Sequence, residues 1–186
     1  MHVYENLNNL KPGLYCVATP IGNLGDITFR ALEVIKKSDL VLCEDTRVSK
    51  KLLSKFKISK KLLSHHKFNE TKNLSYVMEQ LENEKVISII SDAGTPAISD
   101  PGRVLINKCA EKNINIYPIP GPSAVSAAIS VSGFSDKYLF YGFLPQKKNE
   151  INKLFKSISN INYSIVFFIS PKKIYKIVDL LKKYFF

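Results

Sequence analysis

The stretch Gly13-Leu-Tyr-Cys-Val-Ala-Thr-Pro-Ile-Gly-Asn-Leu-Gly-Asp-Ile-Thr-Phe-Arg-Ala-Leu-Glu-Val-Ile35 decides the fold class. Gly13 to Thr19 reads as a short buried strand, Pro20 to Asp26 as a turn-rich loop, and Phe29, Leu32 and Ile35 recur at helical spacing. This strand-loop-helix unit repeats along the chain. Strands are expected at 39–43, 62–64, 86–91 and 114–119, and helices at 46–56, 74–83 and 102–112. Alternation of this kind predicts an α/β fold with a parallel sheet and helices on both faces. The Pro/Gly-dense segment Pro118-Ile-Pro-Gly-Pro122 marks a boundary near Gly121, giving an α/β domain over 1–121 and a second, partial α/β domain over 122–186.

In that second part, the small-residue run Ser123 to Ser132 reads as a closely packed helix. It is followed by a strand at 138–143, a helix near 149–158, a strand at 163–169 and a helix from Pro171 onward. Ile174, Ile177, Leu180, Leu181 and Tyr184 form an apolar stripe on that last helix. The chain stops inside this pattern, so the stripe is expected either to lack its cover and face water or to be buried in a dimer contact.

Composition narrows the function. With 186 residues, 45% hydrophobic and 23% charged, the chain is ample for a core and is not of a disordered or fibrous type. The longest apolar run, Ile165 to Ile169, is far below the roughly 20 residues of a membrane span, and no basic-then-apolar leader follows Met1, so a cytoplasmic protein is expected. Cys16, Cys43 and Cys109 lack metal-ligand spacing, and neither disulfides nor a metal site is expected. The net charge of +11 is the footprint of a nucleic-acid partner, although 24 lysines against three arginines also suit compositional drift in an AT-rich genome. Residues 122–186 carry ten basic and three acidic side chains, against 17 and 13 in residues 1–121. Arg47, Lys50, Lys51, Lys55, Lys57, Lys60 and Lys61 run without an intervening acid, an RNA-contact face or simply a solvated one.

In an open parallel sheet, ligands bind beyond the carboxyl ends of the strands. The first such loop, Pro20 to Asp26, lacks the three-glycine dinucleotide spacing, and no Walker-type phosphate loop is present. A tight turn with a capping Asp26 accounts for it equally well. The second, Cys43-Glu-Asp-Thr-Arg47, places two acids and an arginine at a helix start, where Asp45 or Thr46 suits a cap. The third, Ser91-Asp-Ala-Gly-Thr-Pro-Ala-Ile-Ser-Asp-Pro-Gly102, exceeds the usual ~4–6 residues of a connection and is built of small residues that let a ligand reach the main chain. The fourth, Pro120-Gly-Pro-Ser-Ala124, opens a helix whose first N–H groups are available to a polar ligand.

Taken in order, Thr19-Pro-Ile-Gly-Asn-Leu-Gly-Asp-Ile-Thr28, Glu44-Asp-Thr-Arg47, the 91–102 loop and Pro120-Gly-Pro-Ser-Ala124 closely resemble the ribosomal RNA small-subunit 2′-O-ribose methyltransferases that modify a cytidine, within the tetrapyrrole-methylase superfamily. The resemblance covers the chain to about Pro145. It implies two α/β domains, the second incomplete, with S-adenosylmethionine in the cleft between them, a homodimer, and ribosomal RNA or the assembled small subunit as partner. By position, Pro20, Ala93, Gly94, Thr95, Ile98, Ser123 and Ala124 are the implied cofactor contacts. Asp45, Glu44 and His66 are candidate proton acceptors, Asp45 foremost, and Arg47 a candidate phosphate anchor. His66-Lys-Phe-Asn-Glu70 partly matches a His-x-His-Asn-Glu stretch, with Phe68 replacing the second histidine, while His65 suits a polar surface position. Where the family reads Phe-Tyr-Glu-Ser-x-His-Arg, this chain has Phe167-Phe-Ile-Ser-Pro-Lys-Lys173. Family members also extend past position 186, so a truncated chain is expected. Rival readings are a tetrapyrrole or diphthine methylase of the same fold and a non-catalytic RNA-binding remnant.

Overall fold

The computed structural model describes residues 9–185, which form two compact units, one ending at Ala124 and the other beginning at Val125. In the first, β1 (Gly13–Val17), β2 (Leu40–Cys43), β3 (Leu62–Ser64), β4 (Val86–Ile90) and β5 (Ile116–Ile119) form one sheet in the order β3-β2-β4-β1-β5. Every pairing is parallel. Helices α1 (Phe29–Lys37), α2 (Thr46–Lys55), α3 (Glu70–Glu82) and α4 (Arg103–Glu111) connect the strands.

Strands β2 and β4 are buried along their whole length, as parallel strands covered on both faces must be. Ser88 is the polar exception in β4, and its hydroxyl pairs with the buried Ser38 hydroxyl. Two apolar clusters result. Ala31, Val34 and Ile35 of α1 and Leu53 of α2 pack with Val17 and Val41. Val77, Met78 and Leu81 of α3 and Leu105 and Cys109 of α4 pack with Leu14, Leu42 and Ile87. The adjacent strands β1 and β4 therefore send their helices to opposite faces, and the crevice of a topological switch point opens at their carboxyl ends.

Local chemistry sets the helix starts. Thr28, rather than Asp26, caps α1, its Oγ1 accepting from the Ala31 N–H at 3.0 Å. Asp26 instead lies in a single 3₁₀ turn, Leu24–Asp26, that Asn23 caps. α3 begins at Glu70, four residues ahead of the apolar signal at Leu74, because its polar first turn carries no periodicity to read.

The second unit contains α5 (the helix Ala124–Ser132, whose first residue closes the first unit), β6 (Tyr138–Phe143), α6 (Lys148–Ile158), β7 (Ser164–Phe168) and α7 (Ile174–Phe185). β6 and β7 pair in parallel. Ile151, Phe155 and Ile158 of α6 and Ile177 of α7 are its buried core, on which Leu180, Leu181 and Tyr184 pack. The apolar stripe is thus partly covered within the chain: Ile177 is buried, Leu180, Leu181 and Tyr184 are half-buried, and Ile174 remains 43% exposed. The close packing expected of the small-residue helix is corrected. Only Val125 of α5 is buried, Ile129 is half-buried and Val131 is 84% exposed.

Among the described residues, no helix is long and apolar enough to cross a membrane. Cys16, Cys43 and Cys109 are free thiols, and burial pushes Cys16 and Cys109 up to about 11.

Candidate functional site

Loops one, three and four meet at the switch-point crevice of the first unit. Thr19 and Gly94 form an antiparallel bridge, Thr19 N–H donating to Gly94 O at 2.9 Å and Gly94 N–H to Thr19 O at 3.0 Å. The buried Thr19 hydroxyl donates to Ser91 O at 2.9 Å, and the Ser91 hydroxyl to Gly94 O at 3.1 Å. Loop four is drawn in by Thr95 Oγ1, which donates to Pro122 O at 3.2 Å. These bonds fix the backbone of loops that carry few large side chains.

Glycine is required at two points of this arrangement. Gly94 stands at φ +90°, and a Cβ there would approach Ile21 Cγ2 to 3.3 Å. Gly102, at φ +127°, would bring a Cβ within 2.8 Å of Ile89 Cδ1. Around Gly94, Ala93 and Ile98 are exposed, Thr95 is half-buried and Pro20 is buried. Ser123 and the exposed Ala124 stand at the start of α5. The structure thus places Pro20, Ala93, Gly94 and Thr95 on directly linked segments, with Ile98 further along the third loop. Small side chains leave main-chain groups and one apolar surface, at Ile98, for an adenosine-bearing ligand, so the donor set fits the implied cofactor.

Loop two brings the acids. Asp45 caps α2, accepting from the Arg47 N–H at 2.8 Å, and its carboxylate also holds the Arg47 guanidinium through Nε and Nη2 at 2.8–3.3 Å. Arg47 hydrogen bonds hold the Asp45 carboxyl at about 2. A carboxylate so stabilised is a weak proton acceptor, and the Arg47 charge is already engaged. Glu44 differs. Burial raises its pKa, with the Asp100 and Asp92 charges adding to the effect. Asp100 is raised too, chiefly by burial. Asp92 Oδ1 accepts the Asp45 N–H at 3.2 Å, joining loops two and three. Asp92 and Asp100 were legible only as unassigned acids of the third loop.

His65 is not a surface residue, contrary to expectation. It is 1% exposed, neither ring nitrogen has a hydrogen-bond partner, and Nε2 lies 3.8 Å from Glu70 Oε2. Burial lowers its pKa, which favours the neutral ring. Glu70 Oε2 in turn accepts the Gly102 N–H at 3.2 Å, tying the head of α3 to the end of the third loop. His66 is half-buried, its Nδ1 accepting from the Phe68 N–H at 3.2 Å, and Phe68 is 92% exposed. A cavity of about 670 Å³ lies in the second unit, lined in part by Phe143, Ser170 and Lys173, and contains none of the candidate cofactor or proton-accepting residues.

The profile of the tetrapyrrole (corrin/porphyrin) methylases matches residues 13–186. The chain belongs to the tetrapyrrole methylase family. Within this family its relatives include proteins named ribosomal RNA small subunit methyltransferase I. That of Mycoplasmopsis pulmonis is 49% identical over 154 residues, 81% of this chain and 69% of that protein. That of Thermotoga maritima is 46% identical over 87% of this chain and 72% of that protein. For Mesorhizobium japonicum the values are 43%, 89% and 56%. The chain thus spans between 56% and 72% of the length of these tetrapyrrole methylase relatives.

Proposed function

We propose that the chain is an S-adenosylmethionine-dependent methyltransferase that modifies the 2′-hydroxyl of a cytidine ribose in small-subunit ribosomal RNA. The bridge between Thr19 and Gly94 carries the reading, because it shapes a small-residue platform at the switch point of a chain whose relatives are named small-subunit ribosomal RNA methyltransferases. S-adenosylmethionine, when bound, supplies a methyl group already activated on a sulfonium. The protein has to provide proximity, alignment and an acceptor for the hydroxyl proton.

Main-chain groups of Ala93 and Thr95 bind and orient the polar end of the cofactor, Gly94, whose own N–H and C=O are held by Thr19, keeps the loop in the shape that presents them, Pro20, Ser123 and Ala124 stand alongside, and Ile98 offers the base an apolar surface. Glu44 is the acid best suited to take the ribose proton, because its raised pKa brings it nearer to working pH than Asp45. Asp45 keeps α2 capped and Arg47 in place. The motif resemblance implies a homodimer acting in the cytoplasm, and relatives named for small-subunit ribosomal RNA support ribosomal RNA or the assembled small subunit as partner. A basic chain suits that partner.

Titration calorimetry of the 186-residue chain with S-adenosylmethionine tests the reading. Saturable binding weakened by Gly94→Ala supports it. A flat titration overturns it and favours a non-catalytic remnant.

A further inference from the structure

Beside the platform, the exposed face of α2 forms an open groove of about 300 Å³ against loop one. Its floor is apolar, from Pro20, Leu24, Val48 and Leu52, and Lys51 and Lys55 stand on its lining. The helix builds this directly. Ser49 and Leu53 face the core, so positions 48, 51, 52 and 55 share the outward face at steps of three and four. The volume is at the lower end of small-ligand sites, the scale of one nucleoside.

The lysines of this region divide into two groups. Lys60 Nζ donates to Ser38 O at 2.9 Å, Lys61 lies against Tyr76, and Arg47 is held by Asp45. Lys51 and Lys55 make no salt bridge among the described residues. Two uncommitted cations beside an exposed apolar floor suit a polyanion with flat apolar faces. Asp92 also lines the groove, held through Oδ1 by the Asp45 N–H. An acid there disfavours phosphate and accepts from an exocyclic amino group, as carboxylates do on base edges.

On the reading that the substrate is RNA, we propose that this groove binds one nucleoside of a single-stranded RNA segment, with the base on Leu24, Val48 and Leu52, its amino edge toward Asp92, and the flanking phosphates on Lys51 and Lys55. Pro20 and Asp92 belong to loops one and three, so a nucleotide seated here adjoins the cofactor platform. Unstacked bases of single strands are the usual targets of sequence-selective RNA binding.

The test is fluorescence anisotropy of the full chain with a labelled single-stranded ribosomal RNA oligonucleotide across a salt series. Lys51→Gln/Lys55→Gln should weaken binding about tenfold and reduce the log–log salt slope by roughly 1.4, two contacts at ~0.7 each on a single strand. Leu24→Ser, at an exposed position, should weaken binding about fivefold through lost apolar contact and leave the slope unchanged. Lys36→Gln/Lys37→Gln on α1 should change neither. If the wild type binds RNA and the lysine pair is silent, the groove is overturned while the methyltransferase reading stands. If the lysine pair acts but Leu24→Ser is silent, the nucleoside slot is overturned in favour of a purely electrostatic face. If the wild type binds no single-stranded RNA, the groove proposal is overturned, while methyl transfer to assembled small subunits is decided separately by assay on those subunits.

Discussion

Thr19 and Gly94 exchange two backbone hydrogen bonds, of 2.9 and 3.0 Å, across the carboxyl ends of β1 and β4. Two loops separated by more than seventy residues thereby become one platform, at the place where the connections of the sheet diverge. Gly94→Ala puts a side chain at φ +90° and presses it toward Ile21. The expected cost is about 1–3 kcal/mol of stability, together with a clear loss of cofactor affinity, read by thermal melting and calorimetry. Valine, with its branched Cβ, disturbs the loop further, so alanine separates binding from folding better.

Glu44→Gln should lower the rate of methyl transfer by roughly 100-fold or more while leaving S-adenosylmethionine affinity nearly unchanged. Because burial raises the Glu44 pKa, the wild-type rate should fall in acid at a higher pH than the ordinary glutamate value of 4.5. Asp45→Ala is the contrasting variant. It removes a helix cap, lowers the melting temperature modestly, and should affect turnover much less.

His65 gives a pH dependence of known sign. Its folded pKa is lowered by burial, so between that value and 6.5 the unfolded chain binds a proton that the folded chain does not. The stability contributed by the neutral ring is present above 6.5 and is lost as pH falls below it. Melting temperatures from pH 5 to 8 should show this decline (pH ~5–8 brackets histidine titration). His65→Leu should flatten it.

In the second unit, Phe155 is fully buried between α6, β7 and α7. Phe155→Ala should cost roughly 3–5 kcal/mol. Leu181→Lys places a charge in the same partly buried layer and should also destabilise the unit, whereas Tyr175→Ser, at a position 86% exposed, should not. Urea unfolding followed by circular dichroism distinguishes the three.

Runs such as Leu40–Cys43 and Val86–Ile90 are legible as strands because their apolar character is continuous, and the loops after them stand out by length and small residues. The order β3-β2-β4-β1-β5 is not legible, since pairing depends on surfaces far apart in sequence. Thr28 does not stand out as the cap because Asp26 is an equally good capping residue two positions earlier. The burial of His65 is hidden from the sequence for a related reason. A polar residue just after the three-residue strand β3 carries no periodicity, and its burial follows from the tertiary neighbourhood of Glu70. Glu44 and Asp45 are neighbours of the same charge, and only the Arg47 contact and the difference in burial separate their chemistry.

The central claim is methyl transfer to a ribose of small-subunit ribosomal RNA. Its most direct test incubates the purified chain with unmodified small ribosomal subunits and S-adenosylmethionine, then maps nuclease fragments of the RNA by mass spectrometry. The account predicts one fragment heavier by a single methyl, with the added mass on the ribose of a cytidine and absent with Glu44→Gln. A methyl found on a base, or RNA left unmodified by a chain that binds the cofactor, would contradict it.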